Sequence, residues 1–260
     1  MRLLGTTMLL LALASSAAAV AQGDDRLKAL APDGSLRIAF LSGPLYATKD
    51  ASSGELKGVA IDLGHGLSHR LGASVKPVVY SSPGALIAGA KSGDWDVALM
   101  GVSDERAAMV DFSPSYMEVE QGYLVRPGLE MSKASELDQR GVRVGVVENA
   151  GADVHLSRTL TNATLVRVKS LPELEALIAT RQADAIAATK SFLHGRLQQM
   201  PGARVLEGRL LVEHVAIALP KGKDAAAMAV ITEFVHEAKR SGLVARAIER
   251  AGLKGVDVAR

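Results

Sequence analysis

The chain runs twice through the same succession of signals, and that repetition limits what it can fold into. The first pass begins with an apolar run at residues 36–41 (LRIAFL). Residues 59–71 follow, with Val59, Ile61, Leu63, Leu67 and Leu71 forming a helical face that ends at Gly72. A second apolar run covers 75–80. Ser82 and Pro83 supply an N-cap and a first-turn proline for a helix to Lys91, closed by Gly93. Asp96 leads the third run, DVALM at 96–100. The second pass has a strand at 142–147, a turn through Glu148, Asn149, Ala150 and Gly151, a helix at 152–160 and a strand at 164–168. Ser170, Leu171, Pro172 and Glu173 then form a capping box opening a helix to Arg181, and Asp184 leads DAIAA at 184–188. Short apolar strands alternating with helices make parallel sheets. Two such units predict two similar α/β lobes rather than one large sheet.

The remaining segments join these lobes. Residues 49–58, with Ser52, Ser53 and Gly54 at the tip, predict a small hairpin. Residues 122–125 are strand-like, and Ser132 is placed to cap a short helix ending at Gly141. A strand at 215–219, a turn at 220–223, a helix at 225–241 capped by Asp224 and a last helix at 243–251 complete the chain. No long linker separates the lobes, so strands must cross between them, near 116–120 and 213–217. The predicted division is a leader at 1–21, lobe 1 at 22–117, lobe 2 at 118–215, and a return to lobe 1 at 216–260.

Composition excludes several functions. Aromatic residues are only 3%, net charge is +2 and no Lys/Arg run occurs, which argues against a nucleic-acid reader. There is no cysteine, hence no disulfide, thiolate nucleophile, Cys-type zinc site or lipoprotein anchor. Arg2, an apolar run at 3–14 and Ala19, Val20, Ala21 have the three parts of a secretory signal, with cleavage after Ala21. No other stretch reaches the ~18 apolar residues needed to span a bilayer. An exported, periplasmic product is predicted.

The stretch 96–116, DVALMGVSDERAAMVDFSPSY, carries the clearest site signal. A buried-type strand breaks at Gly101, turns through Ser103, Asp104 and Glu105, and presents Arg106. A guanidinium fixed beyond the carboxyl end of a strand is how an open α/β sheet builds an anion site.

These residues, with GVAIDLGHGLSHRLG at 58–72, GVRVGVVENAGAD at 141–153 and HVAIALPKG at 214–222, resemble the family 3 extracytoplasmic solute-binding proteins over residues 36–252. The resemblance implies a bilobal type II periplasmic-binding-protein (Venus flytrap) fold with two parallel-core sheets and two hinge crossings. It also implies service to an ATP-driven importer for polar amino acids, with an inner-membrane permease as partner. The binding protein is expected to be a monomer without cofactor or metal. Arg106 takes the place of the arginine that grips the ligand carboxylate. Gly101 stands where a hydroxyl residue is implied, so its N–H and that of Ser103 become candidate donors. Asn149, Ala150 and Gly151 stand for a Gly-Thr-Thr-like turn, whose N–H groups at a helix N-terminus still suit an anion. Thr189 stands where an acid would hold an α-ammonium. Losing that partner is worth ~1.5–3 kcal/mol, which leaves an amino acid or a related organic acid as ligand, with Glu148 as substitute acid. Tyr46 is a candidate cover for the ligand, and Trp95, Phe112 and Tyr116 are read as packing or hinge residues.

Catalytic readings are weaker. His65 and His69 have the spacing of a metal pair on a helix, but no third ligand accompanies them. Gly101, Val102, Ser103 lack the second glycine of a nucleophile elbow. The enzymatic alternative is a periplasmic cyclohexadienyl (arogenate/prephenate) dehydratase on the same fold, with Glu148 as general acid facing Arg106.

Overall fold

Residues 36–41 do form the first strand of a parallel sheet, β1 (Ser35–Leu41), in a computed structural model that describes residues 30, 31 and 33–260. The leader at 1–21 lies outside the described residues. After β1 come the hairpin strands β2 (Thr48–Lys49) and β3 (Leu56–Lys57), then α1 (Val59–Leu71), β4 (Ser74–Tyr80), α2 (Pro83–Ser92) and β5 (Val97–Gly101). A one-turn helix α3 (Asp104–Ala107) and β6 (Val110–Phe112) lead into β7 (Met117–Val125). The second unit is β8 (Arg143–Val147), α4 (Gly151–Thr159), β9 (Thr164–Val168), α5 (Leu171–Ala179), β10 (Ala185–Thr189) and α6 (Lys190–Arg196). The chain returns through β11 (Arg204–Val205) and β12 (Leu211–Pro220) to α7 (Ala225–Arg240), α8 (Leu243–Ala251) and β13 (Val256–Val258).

The caps act as their chemistry requires. Ser82 Oγ accepts from Ala85 N at 3.2 Å, and Ser170 Oγ from Glu173 N at 3.4 Å. Gly72 and Gly93 end α1 and α2 in the left-handed conformation that glycine adopts without cost. The exception is 132–141, where only one 3₁₀ turn forms, Ala134–Leu137. Ser132 does not cap it. Its N–H and that of Lys133 instead donate to the Glu136 carboxylate.

In the first lobe β1 lies between β4 and β5, all parallel. In the second, β8 lies between β9 and β10, again parallel. The repeat extends to side chains. The Asp96 carboxylate accepts from Arg37 N (2.9 Å), Nε (3.1 Å) and Nη2 (2.7 Å). Asp184 accepts from Arg143 N, Nε and Nη2 in the same way. Each aspartate thus ties the entry of its third strand to the start of the first. Each lobe has its own cores on the two faces of its sheet. Leu36, Ile38 and Phe40 of β1 face one core with α1, α7 and α8, whereas Ala39 faces the other with Leu86, Trp95 and Met100. The second lobe's cores draw on Tyr123 to Leu210 only.

The lobes meet through β7 and β12. These pair antiparallel from Leu211↔Gln121 to Val215↔Met117, and each also pairs into one of the lobes. The two sheets are therefore joined into one 11-stranded ladder, β4-β1-β5-β12-β7-β10-β8-β9 with β6, β11 and β13 at its sides. This is why both strands are longer than the 122–125 and 215–219 segments read from the sequence. Among the described residues no helix is long and apolar enough to cross a membrane.

Candidate functional site

Because the strands of each lobe run parallel, their carboxyl ends and the loops after them gather at the cleft between the lobes, where ligands of open α/β sheets bind. A cavity of about 100 Å³ lies there. Ser42 to Tyr46 reach it from the loop after β1, Ser81 and Pro83 from the end of β4, and Arg106 from α3. The second lobe contributes Val147 at the end of β8, Ala150, Gly151 and Ala152 after it, Leu171 after β9, Thr189 at the end of β10 and Phe192 from α6. Gln121 and Glu213 come from the crossing strands. The walls are mainly apolar. Among the described residues lining the cavity, only Arg106 and Glu213 carry charge.

Arg106 is 5% exposed and held at both ends of its reach. Ser103 Oγ caps α3 by accepting from Arg106 N at 3.3 Å. Nη1 donates to Gly101 O at 2.6 Å and lies 3.4 Å from Glu213 Oε1. Nη2 donates to Asn149 O, on the other lobe, at 2.7 Å. Asn149 can aim that carbonyl because it adopts φ +61°, a left-handed conformation that asparagine tolerates better than other side chains. Its N–H donates to the Asp153 carboxylate at 2.9 Å. The lobes also touch through the Arg158–Glu105 ion pair. The cleft is thus in a closed arrangement, with Arg106 bridging it.

Glu213, 8% exposed, is the residue that sequence reasoning missed. Its Oε2 accepts from Gln121 Nε2 at 2.6 Å, and its Oε1 faces Arg106. Two glycines make the room. A Cβ on Gly101 would fall on the Glu213 carboxylate, and one on Gly151 would come within 2.9 Å of it. The absent hydroxyl at Gly101 and the bare turn at Gly151 are therefore the space that Glu213 fills. The carboxylate lies beside the first turn of α4, where the helix dipole favours negative charge. The only sequence signal for it was an acid inside the crossing strand, between Val212 and Val215.

Of the other predicted site residues, Tyr46, Ala150, Gly151 and Thr189 line the cavity with Arg106. Burial, and secondarily the Glu213 charge, hold the Tyr46 hydroxyl well above the usual tyrosine range, with Arg106 opposing. Tyr46 is fixed from behind by Gly58, where a Cβ would strike the Tyr46 carbonyl. Gly101 and Asn149 contribute carbonyl oxygens to Arg106, and the Asn149 N–H is already taken by Asp153. Ser103 is spent on capping α3 and lies outside this cavity, on a neighbouring depression. Thr189 caps α6 through Phe192 N. Glu148 is a correction. Its side chain is exposed and does not line the cavity, because the residue follows the last inward position of β8 and its N–H pairs with Val168 O. His65 and His69 are exposed on α1, and no metal-holding cluster occurs among the described residues. Trp95 is buried, its Nε1 donating to Leu86 O.

The ABC transporter glutamine-binding protein of Bacillus subtilis (strain 168) is 25% identical over 187 residues, 70% of this chain and 68% of its own. The L-arginine-binding protein of Pseudomonas aeruginosa is 26% identical over 224 residues, 75% of this chain and 86% of its own. The crystal structure of a solute receptor for L-cysteine of Neisseria gonorrhoeae superposes with a TM-score of 0.79 at 20% identity, covering 91% of this chain and 99% of that one. Residues 36–253 match the family described as bacterial extracellular solute-binding proteins, family 3, and the chain belongs to that family.

Proposed function

We propose that this protein is the periplasmic binding component of an ABC-type importer and that it closes its two lobes over an amino acid or a related small carboxylate anchored on Arg106. The lobes divide near residues 117/118 and 215/216, at the two crossing strands. The observation that carries the reading is the state of Arg106. It is buried in the cleft and held by main-chain oxygens of both lobes, yet no described residue accepts from Nε. A guanidinium presented with donors to spare, across a closing cleft, suits a carboxylate. The relatives named above as glutamine- and arginine-binding proteins support an amino-acid ligand. Ligand binding would draw an open–closed equilibrium toward the closed form, which an inner-membrane permease would recognise. The protein acts as a monomer in this reading.

A thermal-shift screen of amino acids, keto acids and aromatic acids tests it. A ligand at 100 times its Kd stabilises the fold by about 2.7 kcal/mol. Arg106→Ala should abolish that shift, and unchanged binding by the variant would remove Arg106 from the site.

The dehydratase alternative loses its proposed general acid with Glu148. The buried carboxylate of Glu213 is the group that could replace it. Incubation with arogenate and prephenate decides this: turnover lost in Glu213→Gln would make the protein an enzyme, and its absence leaves the binding role.

A further inference from the structure

We infer that Glu213 is the ligand's cation-binding pole, and that the site selects net-neutral amino acids with small, uncharged side chains over anions and over basic amino acids. This rests on the binding role proposed above and assigns the half of the site that Thr189 leaves vacant.

Four observations lead there. First, Arg106 and Glu213 are the only charged groups among the described residues lining the cavity, so the buried site is already neutral. A zwitterion adds no net charge to it. A simple carboxylate would bury an unmatched negative charge beside Glu213, and a basic side chain an unmatched positive one, both costly in a low-dielectric cleft. Second, the Arg106–Glu213 contact is a single 3.4 Å approach, not a two-pronged pair. Arg106 keeps Nε–H and one Nη2–H without a described acceptor, while Glu213, with four lone-pair directions, has only Gln121 and Arg106 as described partners. Each pole can take a ligand group while staying in place. Third, Gln121 fixes Oε2 and the glycines at 101 and 151 give the carboxylate a fitted recess, so the acid is oriented before a ligand arrives. Fourth, Leu41, Pro44, Tyr46, Leu171 and Phe192 offer the side chain mainly apolar surface, in a cavity of about 100 Å³. An apolar cavity of roughly 150 Å³ holds a benzene molecule, so the side chain admitted here is small.

Glu213 could instead serve only to hold Arg106 in position. The two roles separate by ligand chemistry. Titration calorimetry of the full chain against the standard L-amino acids finds the tightest binder. That compound is then compared with its 2-hydroxy-acid counterpart, which keeps the carboxylate and side chain but lacks the ammonium. The wild type should bind a small uncharged amino acid and should bind the hydroxy acid and arginine at least 10-fold more weakly. In Glu213→Gln the amino acid should weaken about 10- to 100-fold, the loss of one charge-assisted hydrogen bond, while the hydroxy acid binds as well as before or better. Equal weakening of both ligands in Glu213→Gln reduces Glu213 to a support for Arg106 and overturns the inference. So does a wild type that prefers arginine, or one that binds the hydroxy acid as tightly as the amino acid. Absence of binding to every amino acid overturns the inference, and absence of binding to the keto and aromatic acids of the thermal-shift screen as well overturns the proposed function itself. Circular dichroism melting of Glu213→Gln and Glu213→Asp guards against misfolding. The second variant keeps the carboxylate charge and should recover part of the amino-acid preference.

Discussion

Replacing Arg106 by methionine removes one charge from a pair in which both partners are more than nine-tenths buried. At 3.4 Å and an effective dielectric constant of about 20, the gross attraction is about 5 kcal/mol. Desolvation consumes much of that, but Arg106→Met strands the Glu213 carboxylate with Gln121 as its one remaining described partner. Breaking a buried pair from one side costs about 3–5 kcal/mol. Arg106→Met also forfeits the bonds to Gly101 O and Asn149 O, the second of which ties one lobe to the other. A chain of this size loses about 2–4 °C in Tm per kcal/mol, so a fall of about 6–20 °C follows. Glu213→Gln should cost less, because the guanidinium keeps its two carbonyl acceptors. The double variant Arg106→Met/Glu213→Gln buries no net charge and should be no less stable than Arg106→Met alone, a coupling of about 2–3 kcal/mol. Urea unfolding of the four proteins, with m held constant, measures the cycle. If the two single losses add to within about 0.5 kcal/mol, the residues do not interact and the electrostatic account of the cleft fails.

Two further outcomes follow from particular contacts. Gly151→Ala should lower stability by about 1–3 kcal/mol by pressing on the Glu213 carboxylate, while Gly84→Ala, whose new Cβ would meet only Asn149 Nδ2 at 3.5 Å, should be neutral or mildly stabilising; paired thermal melts compare them. The N–H groups of Ala163 and Asn162, with the Thr161 hydroxyl, hold the Asp138 carboxyl well below the usual aspartate range. Its contribution is therefore complete above pH ~4 and is lost as pH falls through the lower folded-state value. Asp138→Asn should flatten the acid limb of a Tm-versus-pH curve recorded from about pH 6 down to about pH 2.

The doubled βαβαβ plan was legible because each element carried its own local signal: Ser82 with Pro83, Ser170 with Glu173, and glycines at 72 and 93. These set the helix starts and stops to within about two residues. Signals that depend on a partner from elsewhere in the chain were not legible. The lengths of β7 and β12 come from their pairing with each other, and α3, β6, α6, β11 and β13 are too short for any periodicity. At 132–141 only the turn Ala134–Leu137 forms, and it is capped by the Glu136 carboxylate rather than by Ser132. The candidate site divides the same way. Arg106 stands at the end of a strand with a capped turn before it, so its position could be read. Glu148 reads as facing it only because β8 ends there. One residue earlier, Val147 has the inward place. Glu213 sits beside His214 near the start of a crossing strand, where an acid reads as solvent-facing, and only the empty spaces at Gly101 and Gly151, distant in sequence, show that it turns inward. A glycine where a hydroxyl was implied was the trace of it.

The most direct test is a crystal structure with the tightest-binding amino acid from the calorimetric panel. The account predicts the ligand carboxylate within hydrogen-bonding distance of Arg106 Nε and Nη2, the ammonium on Glu213, and the side chain against Tyr46 and Phe192. A ligand seated elsewhere, with Arg106 and Glu213 still bound only to each other and to their protein partners, would contradict it.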